Sequence, residues 1–351
     1  MTTMRNFQIG TFGRRSAAFL LSVFISSIPG RATDYPQAQI SNGQITAKVY
    51  LPDARDGFYR STRFDWSGAV YSLQYKGHEF YSTWFDKIDP TVINWVHQGG
   101  EIVAGPCSGL WGPVDEFEIP LGWNDSQPGG TFIKIGVGML RRGDGNYNRY
   151  QPYEVLDPGK RTVKTAKDTI EFTQELTDPA TGYAYLYKKV VRLEPGKPQM
   201  AIEHALKNTG KRAIVSNVYN HNFVVIDKRG PSPDYAFKVP YEIKVTQPAK
   251  NGLTEVHGNQ VVFLKPYSAQ DQASVVLQGF GTDSKDTEIV IENQKAGAGL
   301  KITGDRPLTR SFAWTIRTVL AVEPYIAINI EPGAEFTWKN RLDYYTLPVG
   351  K

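Results

Sequence analysis

The chain has 351 residues with 19 Tyr, 17 Phe and 7 Trp, enough apolar and aromatic material to bury a large core and to exclude a disordered protein. Cys107 is its one cysteine, which excludes internal disulfides and Cys-rich zinc sites. Arg5, Arg14, Arg15 and Arg31 fall in the first 32 residues, which hold no acid; the rest carries 36 basic and 35 acidic residues, a formal charge of about +1 that excludes a nucleic-acid binder.

Those first 32 residues read as an export signal. Arg14-Arg15 precede the apolar run from Ala17 to Ile28, Pro29-Gly30 break it, and the small residues Gly30 and Ala32 fit a signal peptidase site with cleavage after Ala32. The run is short for a membrane span, and no other stretch approaches one, so no integral membrane segment is expected in the mature chain. An exported protein, periplasmic or secreted, is expected, by the Sec or twin-arginine route.

From residue 39 the sequence is a succession of short alternating runs with turn punctuation. They are Gln44 to Leu51, Ala69 to Tyr75, Phe132 to Leu140, Thr169 to Leu176, Ala184 to Leu193 and Met200 to Leu206. Ala213 to Ile226, Tyr241 to Val245, Gln260 to Leu264, Ala273 to Leu277, Glu288 to Glu292, Leu300 to Thr303, Ser311 to Ile330 and Glu335 to Tyr345 continue the pattern. Two runs, Ala213 to Ile226 and Ser311 to Ile330, exceed a typical strand and a bend or break is expected inside each, at Glu323-Pro324 in the second. The even strand density and the absence of a Pro/Ser-rich linker predict one domain over 33–351, an all-β, large antiparallel β-sandwich.

Two segments stand out against this scaffold: Tyr219-Asn220-His221-Asn222-Phe223, and Val322-Glu323-Pro324 far downstream. A histidine and a carboxylate, distant in sequence and able to meet on a β scaffold, suit the two ends of a proton transfer. The order of features also resembles the aldose 1-epimerase (galactose mutarotase-like) family. Arg63-Phe64-Asp65-Trp66-Ser67-Gly68 leading into Ala69 to Leu73 is similar to an early family strand. Leu206-Lys207-Asn208-Thr209-Gly210 through Asn220-His221-Asn222-Phe223 is similar to its "NTG … NHxxF" signature, and Val322-Glu323-Pro324 with Ile330 to Phe336 to its closing acidic segment. The resemblance implies a large antiparallel supersandwich with a sugar cleft, His221 as general acid and Glu323 as general base. The chain departs from the pattern at an early "HGG"-like loop, where Gly112 to Phe117 stands instead.

Interconversion of sugar anomers needs a base on the C1 hydroxyl and an acid on the ring oxygen, each worth roughly 10²–10⁴-fold when positioned within about 3 Å. It requires no cofactor or metal. The two groups are expected to face one another across a single sugar ring. Arg63, Asn220 and Glu116 are candidate substrate-binding residues through their hydrogen-bonding groups. Trp66 and Trp111 are candidates through stacking on a pyranose face. Arg63 also has a surface pairing with Asp65 as an alternative, and His204 reads as a surface residue. Tyr147, Tyr150 and Tyr153, within Gly143 to Leu156, read as a packing loop, with a lid over a cleft as the alternative. The partner expected is a monosaccharide or the end of a glycan; no oligomeric state follows from the sequence. A non-catalytic carbohydrate-binding protein remains an alternative, as does a glycoside hydrolase or lyase on the same superfold, the hydrolase using Glu116 and Glu323 as its two carboxylates.

Overall fold

Side chains in an extended strand point alternately to opposite faces, so a run such as Tyr185, Tyr187, Val191 commits one face to a core while Leu186 and Lys188 look outward. The computed structural model, which describes residues 35–245 and 252–348, builds two large antiparallel sheets from such runs. The export signal expected over residues 1–32 lies outside the described residues. The larger sheet has ten strands, in the order Lys160–Thr165, Thr169–Asp178, Tyr183–Leu193, Gln199–Asn208, Glu335–Thr346, Ala298–Gly304, Ile289–Asn293, Tyr235–Lys238, Gln260–Phe263, Thr254–His257. Facing it is a five-stranded sheet, Gln272–Val276, Arg310–Ile316, Val319–Ile330, Ile214–Val224, Pro113–Phe117. Among the described residues no helix is long and apolar enough to cross a membrane.

Three runs differ from the sequence reading. Phe132 to Leu140 is a hairpin, Thr131–Lys134 with Gly138–Arg141, because Gly136 takes φ +81° in the turn and Val137 N–H closes on the Lys134 carbonyl at 3.0 Å. Tyr241 to Val245 forms no strand and is held by an isolated bridge from Lys244 to Gln278. Ser311 to Ile330 breaks at Arg317-Thr318, a two-residue hairpin without the usual Gly or Asn, and not at Glu323-Pro324.

Pro324 instead sits inside a central strand, where its missing N–H opens the ladder. Tyr219 pairs with Tyr325 and Asn222 with Val322, but the register between them is unpaired at Asn220-His221 against Glu323-Pro324. The Asn220 carbonyl, lacking a donor from residue 324, accepts from Asn222 Nδ2 at 2.8 Å. This gap puts His221 directly opposite Glu323 on the face turned away from the ten-stranded sheet.

Candidate functional site

On that outer face one transverse row runs Phe312, Glu323, His221, Val114, set by the pairing of Phe312 with Glu323 and of His221 with Val114. The loops around residues 63, 80–112 and 150 close over the row and leave a cavity of about 250 Å³, at whose floor His221 and Glu323 lie. The volume falls just below the roughly 300–1,000 Å³ of drug-sized pockets and suits one sugar-sized ring.

His221 Nε2 stands 3.2 Å from Glu323 Oε1. Both are buried, at 3% and 7% exposure, so neither charge is screened by bulk water. Glu323 Oε2 accepts from the Tyr325 hydroxyl at 2.6 Å, which fixes Oε1 as the oxygen turned to His221. The imidazole is clamped by Phe223, stacked at 3.8 Å and 10°, and by the edge of Phe64 at 5.7 Å. Burial, and then the fixed charges of Arg63 and Arg149, hold His221 well below its ordinary range. Burial raises the Glu323 carboxyl against the pull of its Tyr325 hydrogen bond and of Arg63. Both shifts disfavour charge, so the imidazole rests neutral.

The two groups touch and leave no room for a ring between them, whereas the sequence reading expected them to face one another across a single sugar ring. A contact pair is still sufficient for anomer chemistry, because the C1 hydroxyl and the ring oxygen are bonded to the same carbon and can be offered to one side together.

The other predicted residues divide. Arg63 lines the cavity, with its Nε on Glu116 Oε2 at 2.8 Å, so its partner is Glu116 rather than Asp65. Glu116 is buried behind the cavity wall and lies outside its lining. Against the penalty of burial, Lys134, Arg63 and Arg149 hold it down to about 2, a permanently ionised counter-charge. Asn220 points to the opposite face, where its Nδ2 donates to Asp115 Oδ1 at 2.9 Å. Trp66 and Trp111 lie outside the cavity lining. Trp66 donates to the Ser61 carbonyl at 2.7 Å and Trp111 to the Tyr71 carbonyl at 2.9 Å.

Sequence reasoning missed the cavity's aromatic wall of Trp84, Trp95, Phe312 and Trp314, and its amide groups, Asn94 and Gln272. Of the loop tyrosines, Tyr150 reaches the cavity, whereas Tyr147 and Tyr153 stack on one another at 5.8 Å beside Trp123. His204 is buried, not exposed. It stands 3.0 Å from Asp115 Oδ2, which Lys189 Nζ also meets at 2.6 Å. Among the described residues no group of three His, Cys, Asp or Glu side chains could hold a metal ion.

No protein-family model matches the chain, and no curated protein matches it in sequence. Solved structures do match. A candidate aldose 1-epimerase from Escherichia coli K12 superposes with a TM-score of 0.52 at 11% identity, over 89% of this chain and 99% of that one. A galactose mutarotase related enzyme from Lactobacillus acidophilus gives 0.50 at 13% identity, over 90% and 99%. A galactose mutarotase-like protein from Clostridium acetobutylicum gives 0.50 at 10%, over 88% and 95%. At such identities they establish the fold, that of the galactose mutarotase-like β-sandwiches.

Proposed function

We propose that this protein is an exported aldose 1-epimerase that interconverts sugar anomers with His221 and Glu323. The observation that carries the proposal is the 3.2 Å contact between His221 Nε2 and Glu323 Oε1 at the floor of a ring-sized cavity. The shared fold supports a carbohydrate-related role, and export rests on the leader alone.

In the reaction Glu323 Oε1 removes the C1 hydroxyl proton while His221 Nε2–H donates to the ring oxygen. The bond from C1 to the ring oxygen breaks, giving the open aldehyde. Because the imidazole is neutral, its donation and refilling are one concerted event: the proton collected on Glu323 passes across the 3.2 Å contact to His221 Nε2 as the imidazole's own proton leaves, so no imidazolate is formed and the pair ends the step as it began. Rotation about C1–C2 and the reverse transfers close the other anomer. A two-carboxylate hydrolase fits less well. Glu323 is the single carboxylate among the described lining residues, and Glu116 is locked behind them.

Proton NMR of freshly dissolved α-glucose or α-galactose tests the activity: the protein is expected to accelerate anomeric equilibration. The pH profile tests the roles. The base must be ionised and its carboxyl is raised, so kcat/KM is expected to climb with pH through a single ionisation above 4.5. No descending limb is expected near 6.5, since His221 is already neutral there. Unaccelerated exchange alongside measurable sugar binding would instead mark a binding protein.

A further inference from the structure

Behind the cavity, four cations share two carboxylates. Glu116 meets Arg63 Nε at 2.8 Å and Lys134 Nζ and Arg149 Nη1 at 3.4 Å each. Glu118 meets Arg149 Nη2 at 2.6 Å and Arg310 Nη2 at 2.7 Å. Arg310 is half exposed and water screens it; the more buried Arg63, Lys134 and Arg149 carry one positive charge more than Glu116 and Glu118, which an ionised Glu323 balances. Burial first, and then Arg149 and Arg63 beside it, bring Lys134 down to about 8 despite Glu116.

Of the four, Arg63 lines the cavity. Its guanidinium is held in place, 4.3 Å from the Phe64 ring centre and 4.9 Å from that of Tyr150. Its contacts among the described residues, with Glu116, Ser108 and Tyr219, engage three of the five N–H groups an arginine carries. Asn94, also in the lining, accepts from Ser108 Oγ through Oδ1 at 2.6 Å, so what its side-chain amide has left to offer is its N–H groups. Among the described lining residues Arg63 is the one Arg or Lys, so the site sets a fixed positive charge with spare N–H groups beside the aromatic wall.

Reading the cavity as a sugar site, we propose that the sugar it takes carries an anionic group, seated on the Arg63 guanidinium beside the aromatic wall. A carboxylate, as in a uronic acid, and a phosphate share the planar, bidentate match to such a fork.

Calorimetric titration of the full protein with glucuronate, galacturonate, glucose 6-phosphate, glucose and galactose at low ionic strength tests this. At least one acidic sugar is expected to bind about tenfold more tightly than its neutral counterpart, as one charge-assisted contact allows. The gap should narrow with added salt. The uronate and phosphate arms tell which anion is meant. Arg63→Lys, keeping the charge and losing the fork, is expected to shrink the preference. Neutral hexoses binding as tightly as every acidic sugar would overturn the proposal, as would no binding by any of the five. Acceleration of neutral anomers without an acidic preference would overturn this inference alone. Acidic-sugar binding without anomer exchange would keep it and remove the epimerase reading.

Discussion

Glu323→Gln is expected to slow anomer exchange by roughly 10²–10⁴-fold while leaving the protein at least as stable at neutral pH. The amide cannot accept a proton, so the base is lost. Its oxygen still accepts from Tyr325, and its N–H can donate to His221 Nε2 once the imidazole carries its proton on Nδ1, so the heavy-atom geometry survives. The sign on stability follows from the raised carboxyl. The unfolded chain ionises first, so wild type loses stability as pH rises from 4.5 through the folded value, and the glutamine escapes that loss. Thermal melts and exchange rates on one preparation check both halves. Retained turnover would show that Glu323 is not the base. Lost turnover with a large fall in melting temperature would show that its carboxylate serves the fold.

Asp115→Ala is expected to destabilise the protein by about 3–5 kcal/mol, although Asp115 lies outside the cavity lining. Its carboxylate is fully buried between the sheets, holding Lys189 at 2.6 Å, His204 at 3.0 Å and Asn220 at 2.9 Å. Removing it leaves the Lys189 charge with only the more distant Asp65 at 3.5 Å. Against the cost of burial, Lys189 and His204 hold Asp115 far below the ordinary carboxylate range. The stability it contributes is therefore present above the unfolded carboxylate value and fades as pH falls through the folded one. Urea unfolding at neutral pH measures the loss; a change under about 1 kcal/mol would mean the network is not structural.

The strands were readable because alternation is local. Ala69–Tyr75 and Tyr183–Leu193 show their inner faces in a few residues. His204 was misjudged because its polarity was weighed above parity: it occupies a core-facing position, opposite the equally buried Lys189 across the sheet. Pro324 was read as a chain break because a proline in a central strand costs a ladder bond; here that loss makes the gap at which His221 and Glu323 meet. The aromatic wall was hidden for another reason. Trp84, Trp95 and Trp314 converge from a loop, a short strand and a distant hairpin, with ring centres 5.5 to 6.4 Å apart, and no local period announces that.

A crystal structure with a sugar bound tests the central claim most directly. The account predicts the anomeric carbon over the His221–Glu323 contact, with the C1 hydroxyl and the ring oxygen each within about 3 Å of one member of the pair. A sugar seated elsewhere, or in this cavity with its anomeric carbon turned to the tryptophans, would contradict it.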